Sequence, residues 1–516
     1  MNSTQVGGIA GKCSGKLREC EILTDLTAPK CSQIGGITGY TLDSCRLEKC
    51  TNRGNITMQG STNKGGGLVG YANGFTYIYD SANHGAVKST STSTTGYIGG
   101  IAGQGVKLSM YRTSNYADVE CANGQYTGGL AGTLEMSGSG NVGHVDSCFN
   151  YGSVKGGNKY IGGLYGRQSG DYETRNSGNH GSVTGTGAKA QSDNTAGIVG
   201  YATGDFFNCY NAGDVTSKGI LVSGFLSEGS GNIINDSFNI GSVTSTATNA
   251  TATKPAAAGF WATGRSENLK NSYNAGPVSG KNFVSGFIGN FSTKVNISGC
   301  YAAAPVTVTD ESGTAAPFLL STPSGENSYA DNYYDNTLCT ATGGNAEAAT
   351  GKSTKEMIDF APNAAYQATP ACYPTLKSMA KCIPGNFAAA QLCFKTDEEN
   401  LSNVLNDMTI GLLDGVVWTC SPELKIENNK VVIVKSDAKG VQGWIQKQGG
   451  ELSYRYNLVI NVDTGIAEIE GSDIAAREYY TPDGLRVQKP RPGQIIVVKT
   501  IYTDGKVTVQ RVAYGR

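Results

Sequence analysis

The stretch Ile98-Gly99-Gly100-Ile101-Ala102-Gly103 decides how this chain is read, because it returns at near-fixed intervals. Related copies are Gly7-Gly8-Ile9, Gly35-Gly36-Ile37, Gly66-Gly67-Leu68, Gly128-Gly129-Leu130 and Gly162-Gly163-Leu164. Further copies are Ala196-Gly197-Ile198, Ser223-Gly224-Phe225, Ala258-Gly259-Phe260, Ser285-Gly286-Phe287 and Ala316-Pro317-Phe318. The apolar residue closing each copy recurs every 27 to 35 residues. A second signature, Asn-x-Gly-x-Val, trails the first, as in Asn83/Gly85/Val87, Asn150/Gly152/Val154 and Asn211/Gly213/Val215. Two coupled signatures keeping step over some ten copies define a repeat array.

Each unit reads as three short strands, for example Gly66–Tyr71, Phe75–Tyr79 and Gly85–Val87, separated by Gly, Asn, Ser and Thr. Five residues before each Asn runs another apolar series: Leu47, Ile78, Met110, Val145, Phe206, Ile234, Leu269 and Ile297, broken by Thr174. One unit cannot bury three such columns alone, but stacked units can. The expected architecture is all-β: a β-solenoid over 1–345, about 50 Å long for some ten coils at ~4.8 Å each. A propeller is the main competitor, and its blades need more residues than these units hold. Paired Gly allows close backbone approach, and the Gly after Asn is expected at positive φ. The aligned Asn residues are expected to form an amide ladder between coils. The column before them alternates Cys50, Cys148, Cys209 and Cys300 with Ser81, Ser177, Ser237 and Ser272, so Cys serves there as a small packed thiol. This column and the aromatic one after it have opposite strand parity, and which faces inward depends on where a bulge falls. Glu135–Gly143 and Gly185–Thr195 read as protruding loops.

The signatures resemble GLUG-motif repeats of bacterial surface adhesins and some surface peptidases. The best copy is Gly197-Ile198-Val199-Gly200-Tyr201 with Cys209-Tyr210-Asn211-Ala212-Gly213-Asp214-Val215. The resemblance covers the repeats at 1–345 and implies a non-catalytic, adhesin-like surface protein. In such proteins a segment like 346–392 closes the array; here Gly351–Met357 reads as a short helix. Residues 393–463, with strands around Trp418, Leu424–Ile426, Val431–Val434, Gly443–Ile445 and Leu458–Ile460, resemble a bacterial Ig-like β-sandwich. The tail, 464–516, carries Tyr479-Tyr480-Thr481-Pro482-Asp483-Gly484-Leu485-Arg486-Val487. It resembles the C-terminal module of secreted Bacteroidetes proteins, some of which are type IX sorting signals; a plain two-hairpin cap is the alternative.

Composition agrees with an extracellular or outer-surface location. The 72 Gly are about twice ordinary usage, and charged residues, at 16%, fall well below the usual quarter. The net charge of -1, without charge runs, offers nothing to nucleic acid. No stretch reaches the ~20 apolar residues of a membrane span. No leader is visible at Met1–Gln5, so the chain is expected to begin within a longer protein. Cys13, Cys20, Cys31 and Cys45 cluster near the start, with a bridge among them left open; no zinc spacing is present.

The search for chemistry is short. His84 and His180 occupy a turn slot inside Asn-x-Gly, and His144 stands alone in a loop. No GxSxG, HExxH, P-loop or GGxGxD calcium series occurs. Asp80, Asp146, Asp205, Asp214 and Asp236 scatter over different columns, so no acid pair of the glycosidase kind is apparent. No catalytic, cofactor or metal residues are assigned. Aromatic residues are more promising: Tyr71 pairs in the repeat with Tyr201, and Tyr210 with Tyr273 and Tyr301. Rings at regular intervals on a solenoid suit stacking on sugars; the alternative is that they fill the core or shield coil edges. The expected partner is a glycan or a host surface or matrix protein, with a carbohydrate-active enzyme, part of a surface peptidase, or a spacer as alternatives.

Overall fold

The computed structural model describes residues 5–381, with breaks at 29–30, 60–63, 92–93, 188–193, 358–359 and 368–372 and at positions 139, 253, 266 and 311. Beyond 381 it describes strands between Gln391 and Ala513 and the turn at 421–423. Much of the expected loop at Gly185–Thr195 therefore lies outside the described residues.

The first part is a parallel β-solenoid of about ten turns. Each coil contributes to five ladders rather than the three expected strands. In the first coil these are Gln5–Gly7, Ala10–Cys13, Lys16–Arg18, Glu21–Ile22 and Leu26–Ala28, called ladders 1 to 5. Every solenoid pairing is parallel and repeats equivalent residues, as in Gln5↔Gln33 and Val87↔Val119. Ladders 2 and 3 run together without a break in Val69–Tyr79 and Ala102–Tyr111.

The core is divided into two lobes. Ladders 2, 3 and 4 enclose the larger, filled by Ile37, Leu68, Ile101, Leu130, Phe225 and Phe260 from the Gly-Gly signature and by Leu47, Ile78, Met110 and Val145. Ladders 1 and 5 enclose the smaller, where Ile34, Ile98, Ile161 and Val222 meet Ile56, Val87, Val119 and Val215. The residue just before the glycine pair thus forms an apolar column that the three-strand reading missed. Thr174, the polar break in its series, is fully buried and accepts a 3.2 Å hydrogen bond from Gln168 Nε2 beside Tyr165 Oη at 3.4 Å.

The two signatures meet at the waist between the lobes. A methyl group added to Gly36 would lie 2.6 Å from Asn52 Cγ. The same overlap occurs for Gly67 with Asn83, Gly100 with Asn115, Gly129 with Asn150, Gly163 with Asn179, Gly197 with Asn211, Gly224 with Asn239 and Gly259 with Asn274. The asparagines form the expected amide ladder: each Nδ2 from Asn52 to Asn239 donates to the Oδ1 of the next at 2.7–2.8 Å. Each also donates to the carbonyl of the residue two further on, as Asn150 does to Gly152 at 2.8 Å.

One glycine expectation is corrected. Glycines such as Gly54, Gly85 and Gly152 do not hold positive φ. They are glycine because a side chain would run into the carbonyl of the equivalent residue one coil back. Positive φ falls instead on the residue before the Cys/Ser column: Lys49, Asp80, Arg112, Ser147, Asn176, Asn208, Asp236, Asn271 and Asp331, with Gly299 among them. Asn, Asp and Gly tolerate that left-handed conformation best. This corner between ladders 3 and 4 is the irregularity that settles parity: Cys50, Cys148, Cys209 and Cys300 face inward as buried free thiols.

Thr350–Lys352 adds a last strand to ladder 4 and leads into the short helix Thr354–Met357. The following segment does more than close the end. It lies along the outer flank of ladder 4, where Tyr301 Oη donates to Pro374 O at 2.6 Å and Tyr366 Oη to Gly299 O at 2.9 Å. Farther on, Gln391–Lys395, Arg455–Asn461, Val441–Gln448 and Val417–Cys420 form one four-stranded sheet in that order, with a separate hairpin of Leu424–Glu427 and Lys430–Ile433. The first pair is parallel and the others antiparallel. The tail is a four-stranded antiparallel sheet, Arg486–Val487, Ile474–Tyr480, Ile495–Tyr502 and Val507–Ala513. Among the described residues no helix is long and apolar enough to cross a membrane.

The waist contact is testable by a double-mutant cycle on urea unfolding followed by far-UV circular dichroism. Gly129→Ala is expected to cost about 2–3 kcal/mol through overpacking, and Asn150→Ala about 2–3 kcal/mol through lost buried hydrogen bonds. Shortening Asn150 takes its amide away from the new methyl but leaves the Gly163 carbonyl oxygen overlapping it, so the double variant is expected to lose only a little less than the sum.

Candidate binding site in a re-entrant corner

Where ladder 1 turns into ladder 2, the second residue of the ladder-2 strand is glycine in most coils, as at Gly70, Gly103, Gly132, Gly166 and Gly200, with Ser227, Ala262 and Leu320 in later ones. A methyl group on Gly103 would lie 2.5 Å from Gly65 N and 2.6 Å from Gly70 O, so the two backbones touch. The outward side chains of both ladders consequently converge in a re-entrant corner running along the rod. Parallel register lines up Gln33, Lys64, Tyr97, Tyr126, Tyr160 and Asn194 on the ladder-1 wall. The ladder-2 wall carries Tyr40, Tyr71, Gln104, Thr133, Arg167, Tyr201 and Glu228.

The middle of the corner sets an aromatic wall against a polar one. Tyr97, Tyr126 and Tyr160 follow one another at centroid distances of 5.2 and 5.8 Å, and Tyr160 meets Tyr201 at 5.3 Å. Opposite them, Glu135 Oε1 gathers Gln104 Nε2 at 3.4 Å, Thr133 Oγ1 at 3.4 Å and Arg167 Nη1 at 3.6 Å. The Arg167 guanidinium lies 5.9 Å from the Tyr126 ring centroid and 5.7 Å from that of Tyr201. At one end Lys64 Nζ sits 3.8 Å over the Tyr71 ring, which meets Tyr40 edge-on at 5.3 Å. At the other, Glu228 Oε2 accepts from Tyr160 Oη at 3.2 Å and from Asn194 Nδ2 at 2.9 Å. Burial lowers the Lys64 pKa, while burial and the neighbouring Glu228 raise that of Tyr160. Two acceptors in the corner, Gln33 Oε1 and Gln104 Oε1, are shielded from solvent and have no donor among the described residues; Gln104 is 8% exposed. Buried polar atoms left in this state favour a ligand or water that supplies the hydrogen.

Two of the tyrosines marked from the repeat, Tyr71 and Tyr201, belong to this corner and are partly exposed. The other three do not reach solvent. Tyr210, Tyr273 and Tyr301 are each no more than 1% exposed. They stack with Phe238 into a continuous column at 4.6–5.3 Å, and Tyr366 and Tyr373 cover the Tyr301 end. Their ring faces are spent on one another, so they are assigned to packing. Tyr97, Tyr126 and Tyr160 were missed, although each stands two residues before a glycine pair in three successive coils, a regularity visible in the sequence. His84 stacks on Tyr116 at 4.7 Å, and His180 on Tyr151 at 4.8 Å with Nε2 2.8 Å from Tyr210 Oη.

Among the described residues burial raises the pKa of two carboxyls, Asp205 and Glu267. Burial pushes Glu267 up to about 8, against the opposing pull of backbone N–H groups of Arg265 and Asn232 at 2.7 and 2.8 Å. At 1% exposure it touches no solvent and has no access to a substrate. Among the described residues no cluster of His, Cys, Asp or Glu is arranged to hold a metal ion. No protein-family model, curated protein or solved structure matches the chain.

Glu267 makes a pH prediction. Its folded pKa of about 8 lies above its unfolded value of 4.5, so the unfolded chain releases this proton first as pH rises. Its contribution is therefore largest below pH 4.5 and declines up to pH 8, by about 4–5 kcal/mol. Urea midpoints measured across that range should fall more steeply for the parent than for Glu267→Ala.

Proposed function

We propose that the chain is a non-catalytic binding rod of the extracellular or outer-cell-surface space. Its ligand is an extended, polyhydroxylated chain, that is, a glycan, laid along the corner from Tyr71 to Tyr201. The observation that carries this reading is the row Tyr97, Tyr126, Tyr160 and Tyr201 facing the partly exposed Glu135 and Arg167 across one corner. Sugar hydroxyls hydrogen-bond to that carboxylate and guanidinium, and the C–H faces of sugar rings suit the partly exposed tyrosines. The strip crosses four coil spacings, about 19 Å, so it matches an oligomer laid along the rod better than a single sugar. The GLUG-like signatures support a surface adhesin, and the C-terminal modules are then tethering or sorting elements. A spacer role needs none of these corner residues.

The test is binding of the full chain to arrays of glycans and matrix proteins. Glycan retention is expected, with affinity falling at least tenfold in Tyr97→Ala and in Arg167→Ala while circular dichroism is unchanged. Tyr301→Ala is expected to lower the unfolding midpoint and leave glycan affinity alone. Retention by a matrix protein only, or glycan binding indifferent to both corner substitutions, would move the site elsewhere; no retention at all favours the spacer.

A further inference from the structure

The first two coils hold a thiol pair that the binding reading does not use. Cys13 ends the ladder-2 strand of the first coil, and Cys45 begins the ladder-3 strand Cys45–Glu48 of the second. Their sulfur atoms lie 3.4 Å apart inside the larger lobe, with Cys13 8% exposed and Cys45 fully buried. The approach is a property of the repeat: one coil further on the equivalent residues are Thr41 and Thr76, whose hydroxyls hydrogen-bond at 2.7 Å. The corner between ladders 2 and 3 therefore brings these positions of adjacent coils together, and here both are cysteine.

We propose that Cys13 and Cys45 are an oxidation site, closing to a disulfide that staples the first coil to the second when the protein is in an oxidising compartment. A small-molecule disulfide such as oxidised glutathione is the oxidant. The Cys13 thiolate attacks one of its sulfurs and expels one glutathione thiolate, leaving a mixed disulfide on Cys13. Cys45 gives up its proton and attacks Cys13 Sγ, expelling the second glutathione. Two protein thiols are oxidised, one external disulfide is reduced to two thiols, and one protein S–S bond forms. Burial raises the Cys45 pKa, which fits Cys45 as the second, intramolecular attacker and Cys13 as the first. The link closes a loop across 32 positions of sequence and joins two adjacent coils covalently.

The test is refolding of the full chain in a glutathione redox buffer, which removes the question of access, followed by thiol alkylation and peptide mass mapping. The expected product joins the Cys13 and Cys45 peptides while Cys121, Cys148, Cys209 and Cys300 remain alkylated thiols. Backbone hydrogen exchange over residues 5–28 should slow on the order of 100-fold on oxidation, and the paired variant Cys13→Ser with Cys45→Ser should show no redox dependence. Free thiols at both positions, or Cys45 joined to another cysteine, would overturn the assignment. A Cys13–Cys45 bond without a change in exchange would overturn its role as a staple.

Discussion

Everything else in the rod depends on the contact between the second glycine of one signature and the asparagine of the other. The chain crosses its own waist there, with ladder 1 turning into ladder 2 on one side and ladder 4 into ladder 5 on the other. Only a residue without a side chain lets the asparagine amide in. Only a short amide fills the gap while donating to the next coil and to its own turn. This explains why the two signatures travel together through insertions that alter the spacing between coils. An interlock of this kind fixes register, because sliding one coil by a single residue would carry its asparagine out of the amide ladder.

The same interlock determines what is on the surface. With the waist drawn tight, the outward rows of ladders 1 and 2 have no room to splay and become the walls of a corner. The opposite flank has a different fate. Its aromatic column from Tyr210 to Tyr301 is capped at one end by the chain returning along it, with Tyr373 Oη hydrogen-bonded to buried Asp335. Two sets of aligned tyrosines, alike in the repeat, thus differ in use: one is packing, and the other lines a partly exposed recess with unfilled hydrogen-bonding capacity.

Much of the solenoid was legible in the sequence, and the reason is physical. A repeat reports its stacked positions many times over, so the Asn ladder, the small buried thiols and the inward Val of Asn-x-Gly-x-Val all emerged from column identity. What stayed hidden was geometry carried by single residues. The left-handed corner at Asp80, Asn176 and Asp236 looks like ordinary loop polarity until its φ is known, and parity on either side of it hangs on that angle. The smaller lobe escaped because Ile98 and Ile161 sit against glycines and read as part of a turn. In the corner, Tyr71 and Tyr201 were found by equivalence, whereas Gln104, Arg167 and Glu135 vary from coil to coil and carry no repeat signal. Covering of Tyr301 by Pro374 joins positions 73 residues apart outside the repeat, which no column comparison reveals.

The asparagine column also has a direction. Every amide in it donates toward the later coil, so its carbonyl end faces the early coils and its N–H end the late ones. At the early end, where Ile22 takes the slot, Asn52 Oδ1 has no donor among the described residues; at the late end, where Ala302 takes it, Asn274 Nδ2 turns to Gly286 O at 2.8 Å. Reversing one amide would set hydrogen against hydrogen on one side and oxygen against oxygen on the other. The column therefore tolerates duplication or deletion of whole coils, each arriving with the same orientation, but not of fractions of one. Rod length is in this sense quantised, and a lineage carrying this fold can lengthen or shorten its reach one coil at a time without redesigning the core.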